Sequence, residues 1–203
     1  MNLTEEQLDA LTEVVNIGVG RAAASLCELI DQHIALRVPK IRTCRPDELQ
    51  AEVTAGDKPL DTSVVQDFDG IISGRALLAF PESSGVSLAQ ILGDQEEGQD
   101  ELELDLAGIL EEVGNIVLNA VLGSLANLFE GEFEYTVPRL SVNESADGVI
   151  ASYDTGDGQD QTILMANAHF EVADSRINGS LLLAFSMSEM AVLLDRLIMA
   201  TEC

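Results

Sequence analysis

Apolar residues recur with a helical period at the start of the chain. Leu8, Leu11, Val15, Val19, Ala22, Leu26, Leu29 and Ile30 fall within about 100° of one another on a helical wheel, so residues 4–31 are expected to form a helix with this stripe on a core. Thr4 and Gln7 have the spacing of a capping box at its start. The pattern returns at 103–129, where Leu106, Ile109, Leu110, Val113, Val117, Ala120, Ser124 and Leu128 form the expected buried side. After each helix comes an extended segment, 33–43 and 132–143, and then an irregular, strand-like one. Segments rich in Val, Ile, Leu and Phe follow at 62–80 and 161–186 and read as strands. Gly70 with Ser73-Gly74, and Ser175 with Asn178-Gly179, are expected to mark turns inside them. Shorter helices are expected at 83–93, after Pro81, and at 188–200, after Ser186.

This parallel runs into the letters. Residues 11–17 read LTEVVNI and residues 110–116 read LEEVGNI; at the same offset of 99, Val38-Pro39-Lys40-Ile41 matches Val137-Pro138-Arg139-Leu140. GRALLAF at 74–80 returns as GSLLLAF at 179–185. A duplication follows as the expectation: one domain over 1–203, made of two repeats at about 1–95 and 103–203, with an acidic linker at 93–103. Strands joined by short turns imply antiparallel pairing. The expected fold class is α+β, a layered antiparallel sheet with long helices and an internal pseudo-twofold repeat. Neither half is large enough to be comfortably stable alone, so the two are expected to share one core.

On both long helices a polar set lies opposite the apolar stripe. Asp9, Glu13, Asn16 and Gly20 cluster on the first; Gly108, Glu112, Asn115 and Asn119 cluster on the second. The Glu-Asn pairs are therefore expected to be exposed twice, in equivalent positions. Exposed Glu and Asn are common on solvated helices, but Asn is a poor mid-helix residue. Its return inside a repeat gives it a claim to function.

Composition narrows the chemistry. The 203 residues are 46% hydrophobic and 23% charged, which suits a folded domain. A net charge of −26 argues against nucleic acid and anionic lipid as partners. The three cysteines, Cys27, Cys44 and Cys203, lack metal-like spacing, and Cys27 is expected to be a buried thiol. The two histidines, His33 and His169, are far apart in sequence, which disfavours a histidine zinc site or a Ser-His-Asp triad. Asp154, Asp157 and Asp160 lack the later Glu of a calcium loop. The N-terminus does not read as a signal peptide, and no apolar run is expected to reach the roughly 18 residues that span a membrane. A soluble, cytoplasmic protein acting as a monomer is the expectation.

The polar set resembles the signature of the CheC/CheX/FliY family of chemotaxis phosphatases: Asp or Ser, three residues, Glu, two residues, Asn, twenty-two residues, Pro. Asp9, Glu13, Asn16 and Pro39 fit it fully; Gly108, Glu112, Asn115 and Pro138 fit it except at the first position. The resemblance covers nearly the whole chain, and two such sites in one chain favour the CheC type.

It implies a phosphatase that hydrolyses the aspartyl phosphate of a phosphorylated CheY-like response regulator and so adapts or ends a chemotaxis signal. Asn16 and Asn115 would orient the attacking water, while Glu13 and Glu112 would contact the receiver's active-site lysine. The chain would need no cofactor and bind no metal, because the receiver supplies Mg2+. Both sites are expected to work, with strengths that can differ. CheD is a further partner the resemblance implies, and no membrane partner is expected. The alternative is a non-catalytic adaptor that binds a receiver or CheD. A flagellar-switch component resembling FliY would be expected to carry a further domain, for which a chain ending at Cys203 leaves no room.

Overall fold

A computed structural model describes residues 3–30, 33–38, 40–54, 59–92, 102–153, 161–172 and 175–186. The expected helix at 188–200, the loop at 154–160, Pro39, Cys203 and most of the 93–103 linker lie outside the described residues. The two long helices form as expected: α1 spans Glu5–Ile30 and α4 spans Leu102–Leu128. The capping box is present. The Thr4 backbone N–H donates to Gln7 Oε1 at 2.8 Å, and the Gln7 N–H donates to Thr4 Oγ1 at 3.2 Å.

The first extended segment becomes β1 (Ile34–Arg37) and β2 (Ile41–Cys44); the second becomes β5 (Phe133–Tyr135) and β6 (Arg139–Val142). The strand-rich segments become hairpins, β3 (Thr62–Gly70) with β4 (Gly74–Phe80) and β7 (Gln161–Val172) with β8 (Ser175–Ser186). All pairings are antiparallel, in the order β1-β7-β8-β4-β3-β5, with β2 also on β7 and β6 also on β3. The stretches 1–95 and 103–203 are thus interleaved: β1 and β2 pair with β7, while β5 and β6 pair with β3. The helix α3 (Glu82–Leu92) follows Pro81.

Three details differ from the sequence reading. The irregular segments contain two short helices, α2 (Pro46–Thr54) and α5 (Ala146–Ala151). Asn178-Gly179 marks no turn, because Asn178 pairs with His169 and Gly179 with Ala168 inside the β7–β8 ladder. A Cβ on Gly179 would lie 2.7 Å from Phe80 Cε1, so glycine is there for close packing. Cys27 is only half-buried, its Sγ accepting the Ile34 N–H at 3.1 Å, whereas Cys44 is buried.

Side chains alternate across the sheet and both faces are covered. Val64, Phe68, Leu78, Phe80, Leu181 and Leu183 join the core under α1, α3 and α4. Their neighbours Val65, Leu77, Ala79, Leu182 and Ala184 join a second core with Leu49 of α2 and Val149 and Ile150 of α5. That double burial explains why β4 is apolar on both faces apart from Arg75, with all seven residues buried.

The segment Leu106–Leu128 of α4 is, by length and composition, apolar enough to cross a membrane, contrary to the sequence expectation. In the fold one side of this segment is buried against protein: Val117, Leu118, Val121 and Leu122 are at most 1% exposed. The helices α1 and α4 pack directly on each other at Gly18, where a Cβ would lie 2.7 Å from Val121 Cα and 2.8 Å from the Ala120 carbonyl oxygen. Backbone cannot yield as a flexible side chain can. Gly18→Ala is therefore expected to cost about 1–2 kcal/mol of stability, although Ala is the better helix former by about 1 kcal/mol. Urea unfolding of the variant measures it.

Candidate functional site

The polar faces of α1 and α4 lie away from the core, with Asp9, Glu13, Gly20, Gly108 and Glu112 exposed. Asn16 and Asn115 are half-buried and both are held, which differs from the sequence expectation of two equally open pairs. The two are held in different ways.

On α1, the Asn16 carboxamide is closed against the β1–β2 connection. Its Nδ2 donates to the Val38 carbonyl at 2.9 Å and to the Thr12 carbonyl of its own helix at 3.0 Å, and its Oδ1 accepts the Val38 N–H at 3.2 Å. Both amide hydrogens are spent, so Asn16 has no donor left for another molecule. Val38 itself is buried, at 1% exposure.

On α4 the same contact is absent. Asn115 makes no hydrogen bond to Val137, the residue at the equivalent spacing, and Val137 is 86% exposed. The β5–β6 connection is tied elsewhere. The Thr136 N–H donates to the Asp67 carbonyl at 2.9 Å, and Glu111 Oε1 accepts the Leu140 N–H at 2.9 Å. Between this connection and α4 lies an open cleft of about 480 Å³, lined by Gln66, Gly108, Glu111, Glu112, Asn115, Asn119, Tyr135, Thr136, Val137 and Pro138. Burial pushes the Tyr135 hydroxyl above its ordinary pKa, so it remains a neutral donor on the cleft wall at neutral pH.

Asn115 is held from beneath. Its Oδ1 accepts Asn119 Nδ2 at 2.6 Å; Asn119 Oδ1 accepts Gln66 Nε2 at 2.9 Å; Gln66 Nε2 also donates to the Thr136 carbonyl at 3.1 Å. Asn115 Nδ2 makes no hydrogen bond among the described residues. The helix can lie this low because residue 114 is glycine: a Cβ there would overlap the Val64 side chain on β3. Two positions further along the strand, on the same face, is Gln66.

Sequence reasoning placed Asn119 on this face but missed Gln66. The available signal was a lone amide inside the apolar strand SVVQDF. Gln66 is 2% exposed and its Oε1 is buried without a partner among the described residues. An unmatched buried acceptor costs about 1–3 kcal/mol, a penalty that an apolar residue would avoid.

The other candidates take no part. His33 is exposed and His169 Nδ1 lies 2.8 Å from Asn178 Oδ1 on the far strands. Among the described residues no cluster of His, Cys, Asp or Glu is placed to hold a metal ion.

Known proteins resemble this chain in sequence and in fold. No protein-family model matches the chain. It is 28% identical over 144 residues to the CheY-P phosphatase CheC of Bacillus subtilis, a match covering 70% of this chain and 68% of the relative. Among solved structures, FliY of Thermotoga maritima superposes with a TM-score of 0.66 at 18% identity, covering 98% of this chain and 96% of that one. The FliM middle domain of H. pylori superposes with a TM-score of 0.59 at 12% identity, covering 95% and 99%. These two likenesses establish a common fold. The CheC relative and the twice-written Glu-Asn signature make the chain similar to the CheC/CheX/FliY family of chemotaxis proteins.

Proposed function

We propose that this chain is a phosphatase that hydrolyses the aspartyl phosphate of a phosphorylated CheY-type receiver. The observation that carries the proposal is the α4 site: Glu112 and Asn115 share the edge of an open cleft, and Asn115 presents an unspent amide donor. The CheC relative, whose name specifies a CheY-P phosphatase, supports the choice of substrate.

The chain's part in the reaction is positional. Asn115 enters the receiver's active site and hydrogen-bonds a water in line with phosphorus. A neutral amide does this without bringing negative charge to a phosphoryl group, as an Asp would. The water oxygen bonds to phosphorus, the P–O bond to the aspartate breaks, and the water's proton leaves with phosphate or solvent. The products are inorganic phosphate and the free carboxylate. The Mg2+ that neutralises the phosphoryl oxygens arrives with the receiver as part of the substrate. Holding the water in place removes an entropic cost of bringing it there.

Glu112 is three residues before Asn115 on the same face and exposed, where it can meet the receiver's lysine in a charge-assisted hydrogen bond. Glu112→Ala, on an Asn16→Ala background that leaves the α4 site alone, is expected to raise KM for the phosphorylated receiver roughly tenfold, with a smaller effect on kcat. Steady-state phosphate release measures both. An unchanged KM removes Glu112 from the docking contact. A cytoplasmic location follows from such a substrate.

One observation favours a second reading for half of the molecule. Asn16 is closed against Val38 and has no donor to offer, so the α1 face is suited to docking a receiver without hydrolysing its phosphate. A chain that only docks would leave the receiver's decay unchanged or slow it.

A further inference from the structure

The three amides beneath the cleft have a fixed polarity, and it is set at the end remote from the chemistry. The Thr136 carbonyl can only accept, so the group that Gln66 turns to it must be Nε2. The same nitrogen then meets Asn119, whose facing atom must be the acceptor Oδ1. That choice turns Asn119 Nδ2 to Asn115, whose facing atom must in turn be Oδ1. Asn115 Nδ2 is left outside this chain of bonds, on a residue that lines the cleft. Each amide alone could flip by 180°; linked to a backbone carbonyl, none can flip without breaking a bond.

The carbonyl is itself immobilised. Thr136 is sewn to β3 by its N–H to the Asp67 carbonyl and by the Asp67 N–H to Thr136 Oγ1, both at 2.9 Å. Gln66 is 2% exposed, so it cannot turn out to water. The helix α1 has no such device. Gly20 stands one turn after Asn16, where Asn119 stands after Asn115, and Asn16 is held by Val38 instead.

We propose that Gln66 and Asn119 are positioning residues for Asn115, holding its carboxamide with the Nδ2 donor presented to the cleft. The inference rests on the phosphatase reading for its catalytic consequence. A donor there takes one lone pair of the water and leaves the other for phosphorus. An amide free to flip would present its oxygen half of the time and its nitrogen in a scatter of directions. Neither Gln66 nor Asn119 touches the reacting atoms in this account, so their loss lowers turnover and leaves docking alone.

The test uses the full chain on the Asn16→Ala background. Asn119→Asp keeps the shape but replaces the donor facing Asn115 with an acceptor, which draws Asn115 Nδ2 inward. It is expected to lower kcat roughly tenfold while KM for the phosphorylated receiver stays within about twofold. Gln66→Met, of similar length and without polar atoms, releases Asn119 and is expected to lower kcat less. The side-chain 15N–1H2 signals of Asn115 supply a readout independent of activity: both variants are expected to shift them. Unchanged kcat in both variants, with Asn115→Ala inactive, would overturn the positioning role while leaving the phosphatase reading intact. If the parent protein accelerates no receiver, the phosphatase reading fails, and the amide signals decide the relay: a shift supports it, and their constancy overturns it. If Gln66→Met does not fold, Asn119→Asp on the helix surface decides both readouts.

Discussion

Asn115→Ala is expected to remove most of the phosphatase activity, lowering kcat by roughly 10- to 100-fold, while Asn16→Ala costs far less. The asymmetry follows from what each amide is already doing. Asn115 offers two free N–H groups at the edge of a cleft of about 480 Å³. Asn16 has spent both on the Thr12 and Val38 carbonyls and must break the pair with Val38 before it can meet another molecule. That opening costs the hydrogen bonds and exposes a residue now 1% exposed. The two signatures, so alike in sequence, are thus expected to differ in output because of the backbone opposite each. Phosphate release from a phosphorylated receiver, measured for each single variant, checks the order; equal losses would show that the Asn16 pair opens freely.

The second large effect concerns stability. Arg75→Ala is expected to cost about 2–4 kcal/mol and to lower the thermal midpoint by roughly 5–15 °C. Arg75 is 7% exposed and grips Asp67 with two bonds, at 2.6 and 3.0 Å. Its Nη1 donates to the Val149 carbonyl at 2.9 Å and to Ser152 Oγ at 2.8 Å, and Tyr153 lies 5.1 Å from its guanidinium carbon. One side chain thereby joins the β3–β4 hairpin to α5. Removing it leaves the Val149 carbonyl without that donor and an Asp67 carboxylate alone. The Asp67 side chain is 34% exposed and can be partly solvated, so the cost stays below that of a fully buried pair. Thermal and urea unfolding measure it; a loss under about 1 kcal/mol would mean that α5 is held by its apolar contacts alone.

What the sequence disclosed depended on how many residues carried each signal. The helix α1 was legible because Leu11, Val15, Val19, Ala22 and Leu26 repeat the same step over several turns, and all are buried. The strands β3 and β4 were legible because Gly70 and Gly74 bracket their turn. The helices α2 and α5, with nine and six residues, are too short to establish a period. Among the described side chains of α2, Leu49 alone enters the second core. Asn178-Gly179 misled because a glycine that admits Phe80 looks, in sequence, like a glycine that makes a turn.

The candidate site divides in the same way. Glu13 and Glu112 were placed correctly on exposed faces, since exposure follows from helical phase. The difference between Asn16 and Asn115 was invisible, because it lies in where the Val38 and Val137 backbones run. Gln66 was overlooked because its partners come from two elements distant in sequence, α4 and the connection after β5.

The most direct measurement is the decay of a phosphorylated CheY-type receiver, with Mg2+, in the presence of a substoichiometric amount of this protein. The account predicts that one molecule accelerates the decay of many receivers and that the double variant Asn16→Ala with Asn115→Ala abolishes the acceleration while still folding. A decay rate that the protein leaves unchanged across cognate receivers it demonstrably binds, or an acceleration that survives in the double variant, would contradict it.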